Sequence, residues 1–408
     1  MKCRHCGTEL ELPLIDLGSA PPSNAYLSAR ALREPEKWFP LRVLVCTACF
    51  LVQTEDFAQA SELFDADYAY FSGFSSTWLA HAERFVALMI ARLGLDRNSL
   101  VIEVASNDGY LLQYVKAKGV PCLGIEPTAS TAAAARSKGI EVIEEFFGRR
   151  LGASLAAQGR SADLLVANNV LAHVPDVNDF VQGFAQLLKP AGVASFEFPH
   201  LLRLIDENQF DTIYHEHFSY LSLTAVERIF NSCGLVVFDV EELPTHGGSL
   251  RVLAQRSDTG VREATAAVGA MRAREVAAGL TGREYYADCQ RRFEELKDEF
   301  VAFLIRARAQ GKRVGAYGAA AKGNTLLNFA GIRADLISLV ADRNPAKQGK
   351  FMPGSRIPIV SEQTLRDARP DYVVILPWNL RSEVMQQLAY IREWGGSFVT
   401  AVPRLEVS

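Results

Sequence analysis

Four cysteines near the start of the chain have the spacing of a metal site. Cys3 and Cys6 form one C-x-x-C turn and Cys46 and Cys49 another, with 39 residues between the inner members. Each such turn sets two sulfurs on one side of a single ion, so the four thiolates satisfy tetrahedral Zn²⁺. An all-thiolate set leaves no open coordination position, and the ion is expected to hold structure rather than activate water. A redox pair or four unligated thiols are the competing chemistries. The gap exceeds the roughly 15 to 20 residues of a common zinc ribbon, so the intervening SAPPSNAYL is expected to bulge out between the knuckles. The other three cysteines, Cys122, Cys233 and Cys289, sit in apolar or helical text and read as packing residues.

Proton chemistry concentrates elsewhere. Five of the seven histidines (His173, His200, His215, His217 and His246) fall between positions 173 and 246. The densest element is FDTIYHEHFSY, where Tyr214, His215, Glu216 and His217 are consecutive. Such a group offers a base, an orienting carboxylate and a phenolic donor for an oxyanion, with a metal site as the competitor. His81 and His200 each read as an ordinary core or surface histidine.

A ligand loop precedes that cluster. LVIEVASNDGYLL reads as a buried strand, a tight turn and a helix start, with Asn107, Asp108 and Gly109 permitting positive φ and Glu103 placed to receive ligand hydrogens. A second strand, LGIEPT, ends in Glu126 and Pro127, where an acidic side chain can hold ribose hydroxyls. LLVANNVLAHVPD puts Asn168 and Asn169 at the end of a fourth strand, and all three strand ends meet at the carboxyl edge of one sheet. The loop is not G-x-G-x-x-G, which disfavours a pyrophosphate-cradling dinucleotide site. Together these residues resemble the adenosyl site of a class I S-adenosylmethionine-dependent methyltransferase. Near the other end, GAYGAAAKGN places Gly315, Tyr317, Gly318, Lys322, Gly323 and Asn324 at a strand-to-helix junction, where amides and a cation suit a phosphate. A sugar-nucleotide diphosphate is the favoured ligand, against a structural turn or a second nucleotide.

The elements that must position these residues are those of an α/β protein. At 408 residues, with 49% hydrophobic and 22% charged side chains, the chain is long enough for two or three cores and too apolar to be disordered. Its 43 basic and 47 acidic residues leave a formal charge of -4, so neither nucleic acid nor an anionic membrane is an expected partner. No apolar run approaches the roughly 18 residues of a membrane span, and MKCRHCGTEL lacks an apolar leader, so a cytoplasmic protein is expected. Helical periodicity from Ala58 to Leu93 leads into strand and helix alternation over about 100–254. A long helix over 283–309 connects to a second doubly wound alternation. The expected division is a zinc-binding module at 1–57, a methyl-donor domain with a Rossmann-like sheet at 58–257, and a doubly wound C-terminal domain at 258–408.

CRHC with CTAC, DYAYFS near Tyr68, ASNDG, NNVLAHVPD, DTIYHEHFSY, HGGSLR and GAYGAAAKGN occur in this order along essentially the whole chain. In this the chain resembles the sugar C-methyltransferases that act on nucleotide-linked 4-keto deoxysugars, best known as dTDP-sugar C-3 methyltransferases. The resemblance implies S-adenosylmethionine as donor, structural zinc, a dTDP-linked sugar as substrate bound with help from the C-terminal domain, and a monomer. Matched by motif, His217 is similar to the family's base and Glu216 to its neighbouring carboxylate. Tyr68 and Tyr214 resemble active-site tyrosines, His173 the histidine after the fourth strand, and His246 belongs with the substrate residues Tyr317, Lys322 and Asn324. Two departures stand out. Ala105 and Ser106 replace the Gly and Cys of many methyltransferases, and His200 stands where an aromatic residue of the sugar pocket is expected. Methylation at C-5 or another position, and a nicotinamide-dependent oxidoreductase of nucleotide sugars, are the alternatives.

Overall fold

The computed structural model describes residues 1–57, 73 and 75–408. Among the described residues seventeen strands follow in chain order. The first segment holds β1 (Leu12–Ala20), β2 (Phe39–Val45) and β3 (Val52–Thr54). The middle holds β4 (Val101–Val104), β5 (Cys122–Ile125), β6 (Glu141–Ile143), β7 (Ala162–Asn168), β8 (Leu188–Pro199), β9 (Ser219–Tyr220), β10 (Leu235–Leu243) and β11 (Ser249–Arg256). The last third holds β12 (Val314–Tyr317), β13 (Val340–Ala341), β14 (Ile359–Val360), β15 (Tyr372–Ile375), β16 (Ser397–Thr400) and β17 (Glu406–Val407).

The central sheet has the order β10-β11-β8-β7-β4-β5-β6, with β11 antiparallel to both neighbours and the strands from β8 to β6 parallel. β4 reads VIEV and is buried at every position, as a strand covered on both faces requires. The helix Ser76–Leu93 covers one face. Ser75 caps it by accepting from the Trp78 amide at 3.3 Å, and Gly94 ends it at φ 64°. Its buried stripe of Ala82, Phe85, Val86 and Met89 packs on Val101, Val166 and Val193, and each large side chain so buried contributes about 1.5 to 3 kcal/mol. The second doubly wound sheet has the order β14-β13-β12-β15-β16-β17, parallel except for β17. The helix Cys289–Ala309 packs Phe293, Leu296, Phe300 and Leu304 against it, with Phe303 partly buried beside them.

One feature differs from expectation. The helix Ala266–Ala278, assigned by sequence to the C-terminal part, packs Val268 and Met271 into the core of the central sheet. The cysteine segment builds no core of its own: Cys3, Cys46, Cys49 and Leu51 join the central core, while Leu14, Ile15, Leu41 and Val43 join that of the C-terminal sheet. Its sheet is completed by β9, in the order β1-β2-β3-β9. None of the helices among the described residues is long and apolar enough to cross a membrane.

Candidate active site

Both doubly wound sheets turn their carboxyl edges toward one cavity of about 1360 Å³. Ala105 and Asn107 after β4, Glu126 and Pro127 after β5, and Asn168 and Asn169 at the end of β7 line it from the central sheet. Tyr317 and Gly318 after β12, Asp342 and Arg343 after β13, and Asn379 beyond β15 line it from the C-terminal sheet. Ligands of open α/β sheets bind at such edges.

The donor loop is held by its acid. Glu126 accepts from the Asn107 amide and from the Thr128 amide, each at 2.9 Å. Ala105 and Asn107 adopt φ of 53° and 50°, the left-handed region where glycine is usual, and Gly109 follows at 74°. The side-chain nitrogen and oxygen of Asn168 are buried without a partner among the described residues, and the oxygen of Asn169 likewise. These unpaired groups on the lining, with a carboxylate at the second strand end, fit an adenosyl ligand. Two expected contacts are not on the lining. Glu103 lies beneath the loop on a strand buried on both faces, where burial raises its pKa well above the usual carboxylate range. Gly109 acts by shape, since a β-carbon there would meet Ile140 Cδ1 at 2.4 Å. The grip on Glu126 recurs in the other sheet: Asp342 accepts from the Ala319 amide at 2.7 Å and from the Asn344 amide at 2.8 Å.

Between the two edges stand the histidines. His217 donates from Nδ1 to the Thr212 carbonyl at 2.9 Å, which leaves the lone pair of the neutral ring on Nε2. Burial, with the neighbouring His173, Lys322 and His246, holds its pKa well below the histidine range, so the ring is neutral. Tyr214 lies against it at 3.9 Å between centroids and His173 meets it edge-on at 4.6 Å. His173 donates from Nδ1 to the Glu216 carbonyl at 2.9 Å, and burial lowers its pKa to about 4. Glu216 lines the cavity, but instead of orienting His217 its carboxylate accepts from Asn24 at 2.7 Å, and burial raises its pKa to about 7. Asn24 comes from SAPPSNAYL, so that loop reaches into the cavity instead of bulging away. His246 lines the cavity at φ 56°, a conformation costing about 1 to 2 kcal/mol, with burial lowering its pKa to about 4.

Several expected residues lie elsewhere. His215 turns away to the Phe39 and Pro40 carbonyls, while His200, in keeping with its reading as an ordinary histidine, binds Glu275 at 2.7 Å in the interior, off the cavity lining. Asn324 is fully buried and off the lining, whereas Tyr317 and Lys322 are on it. Tyr68 lies outside the described residues. His81, read as an ordinary histidine, lines the cavity, stacked on Trp78 at 4.9 Å and bonded to Glu197 at 2.9 Å. Asp211 and Trp378 were missed altogether. Trp378 Nε1 donates to Asp211 at 2.8 Å beneath Lys322, and burial raises the Asp211 pKa to about 7.

The four cysteine sulfurs lie within 4.8 Å of one another, the closest pairs, Cys3–Cys49 and Cys6–Cys46, at 3.5 Å. Four thiolates so grouped fit tetrahedral zinc. They join the histidine centre through β3 and β9, and the Gln53 amide donates to Cys3 at 3.3 Å.

Comparisons with known proteins agree along the chain. Residues 3–64 match the family described as "Putative zinc binding domain", residues 78–240 "Methyltransferase domain", and residues 244–403 "C-methyltransferase C-terminal domain". The C-methyltransferase NovU of Streptomyces niveus is 34% identical over 406 residues, covering 100% of this chain and 96% of the relative. Among solved structures, magnesium protoporphyrin IX methyltransferase of Synechocystis PCC 6803 is 16% identical over 44% of this chain and 83% of its own, with a TM-score of 0.35. A methyltransferase from Mesorhizobium loti is 15% identical over 43% of this chain and 98% of its own, with a TM-score of 0.34.

Proposed function

The chain belongs to the S-adenosylmethionine-dependent C-methyltransferases that carry an N-terminal zinc module, and we propose that its acceptor is the carbon beside the ketone, C3 favoured, of a nucleotide-linked 4-keto deoxysugar. The oxidoreductase alternative is set aside by that membership. One observation carries the proposal: a neutral, buried His217 stands in a cavity that runs between the carboxyl edges of two doubly wound sheets. Its volume of about 1360 Å³ exceeds the roughly 300 to 1,000 Å³ of a site for one small ligand, leaving room for a donor and a nucleotide sugar together.

S-adenosylmethionine, when bound, supplies a sulfonium methyl as electrophile. The chain's part is to position the acceptor carbon and take its proton. A C–H bond beside a ketone is acidic because its conjugate base is an enolate, and the Nε2 lone pair of His217 is the acceptor for that proton. Tyr214 and His173 pack against the His217 ring and fix its plane, while Glu216 is tied to the first segment through Asn24. Tyr68 is carried as an active-site residue by motif alone. Glu126, with Ala105, Asn107, Pro127, Asn168 and Asn169, holds the donor, while Tyr317, His246 and Lys322 face the sugar nucleotide, dTDP-linked by preference. The first segment, the central sheet and the C-terminal sheet serve as zinc module, donor domain and nucleotide-sugar domain. Holding the partners in a near-attack pose supplies on the order of 7 to 11 kcal/mol of the barrier reduction.

The test is incubation with labelled methyl donor and a panel of 4-keto and 3-keto nucleotide sugars, with the new methyl located by mass and NMR. A methyl at C3 of a 4-keto sugar is the expected product. Transfer to no member of the panel would sink the reading.

A further inference from the structure

Lys322 opens the helix Ala321–Phe329, the element whose loop suggested a diphosphate. That helix docks on the turn Phe210–Thr212, and the Thr325 hydroxyl donates to the Ile213 carbonyl at 2.7 Å. The docking carries Lys322 into the cavity beside the histidines, where its charge lowers the proton affinity of both His217 and His246. Its ammonium donates to Asn379 Oδ1 at 3.1 Å and lies 4.5 Å above the Trp378 ring. Trp378 is itself fixed by Asp211, whose second oxygen is buried without a partner among the described residues. Gly247 of the HGG turn packs on the same indole, so closely that a β-carbon there would come within 2.4 Å of it. An ammonium has three donors, and Asn379 takes one. Two other cations, Arg343 and Lys347, line the cavity after β13, Lys347 donating to the Ala319 carbonyl at 2.7 Å, so a diphosphate has cationic partners there besides Lys322.

We propose that the Lys322 ammonium is the electrophile of the proton-transfer step, donating a hydrogen bond to the substrate carbonyl oxygen as His217 removes the proton from the adjacent carbon. The inference rests on the keto-sugar reading above. The C–H bond breaks, its electron pair forms the carbon–carbon double bond of the enolate, and the carbonyl π pair moves to oxygen. The proton goes to His217 Nε2 and Lys322 keeps its own, so without a methyl donor the step reverses and appears as isotope exchange. Asp211 and Trp378 are positioning residues for the cation. An ammonium held in a partly dry cavity stabilises charge developing on that oxygen far more than it would in water.

The experiment measures exchange of the sugar C–H in D2O without methyl donor, alongside calorimetry of thymidine diphosphate binding, for wild type, Lys322→Gln and Lys322→Arg. The expected result is an exchange rate ~100- to 1000-fold lower in Lys322→Gln, the loss typical of removing one oxyanion donor. Lys322→Arg should be intermediate, and thymidine diphosphate affinity should stay within threefold, which also shows that the variants fold. Borohydride treatment of wild type with substrate should leave the protein mass unchanged. Exchange in Lys322→Gln within threefold of wild type overturns the proposal. So does a tenfold loss of diphosphate affinity with exchange at saturation unchanged, which would return Lys322 to the phosphate. A trapped covalent adduct overturns it in favour of an imine. A wild-type protein that exchanges no keto sugar overturns this proposal and the keto-sugar reading together.

Discussion

Thr54, the last residue of β3, donates its hydroxyl to the carbonyl oxygen of His217 at 3.1 Å. The cysteine cluster is thereby tied to the proposed base: Gln53 bonds Cys3, Val52 and Gln53 pair with Tyr220 and Ser219, and Arg4 lies 5.3 Å from the Phe218 ring. A metal bound by the four cysteines would hold β3 and, through Thr54, the backbone of the proposed base. Protein purified without chelator should carry one zinc per chain by atomic emission. Stripping the metal should lower Tm by several degrees and remove methyl transfer together. Zinc-free protein with wild-type turnover would show that the cluster acts only as a fold staple.

His217 itself gives the second prediction. His217→Asn and His217→Ala should lower methyl transfer ~100- to 10,000-fold, the range for loss of a general base. The affinity for S-adenosylmethionine should be unchanged, because the residues that line the donor end come from other strand ends. Turnover near wild type would remove His217 from the role of base.

Much of the scaffold was legible because its causes are local. VIEV, CLGI and ADLLVAN are apolar runs bounded by turn residues, and the stripes on Ser76–Leu93 and Cys289–Ala309 repeat at helical spacing. The helix Ala266–Ala278 was not, since its alanine-rich text has a weak stripe of Val268 and Met271. The site was legible where one short motif builds it, as with the cysteine pairs and the acid after β5. It was illegible where distant segments meet: Asn24 reaches Glu216 across 192 positions, and Trp378 reaches Asp211 across 167. Side-chain direction was hidden too. Neighbours in YHEHF diverge, His217 into the cavity and His215 toward β2, a result of backbone path that no spacing records.

Glu216 predicts a pH dependence of stability. Burial raises its folded pKa to about 7, above the roughly 4.3 of an unfolded chain. A raised carboxyl binds its proton more tightly when folded, so its contribution is full below about pH 4 and is lost as pH rises through 7. The loss is on the order of 4 kcal/mol. Glu216→Gln keeps an oxygen for Asn24 and cannot ionise, so its Tm should fall less than that of wild type between pH 5 and pH 8. Asp211, raised in the same way, leaves part of the dependence in place. Identical pH slopes for variant and wild type would overturn this assignment.

The donor loop gives the last prediction, which separates contact from shape. Glu126 accepts two backbone amides and lines the cavity, so Glu126→Ala should free the loop and remove a ribose partner at once. At about 1.5 to 3 kcal/mol for a hydrogen bond to a charged group, the loss is a ~10- to 100-fold weaker affinity for S-adenosylmethionine. Gly109 does not line the cavity, yet at φ 74° and with Ile140 in the path of a β-carbon, Gly109→Ala must displace the turn. It should lower both Tm and donor affinity. Ala105 is the converse: at φ 53° it bears strain that glycine would relieve, while glycine also loosens the unfolded chain. The two effects oppose, so Ala105→Gly should leave stability within about 1 kcal/mol of wild type. Calorimetry of the donor with thermal melts of all three variants decides the matter. Wild-type donor affinity in Gly109→Ala would mean that the turn's shape does not set the site.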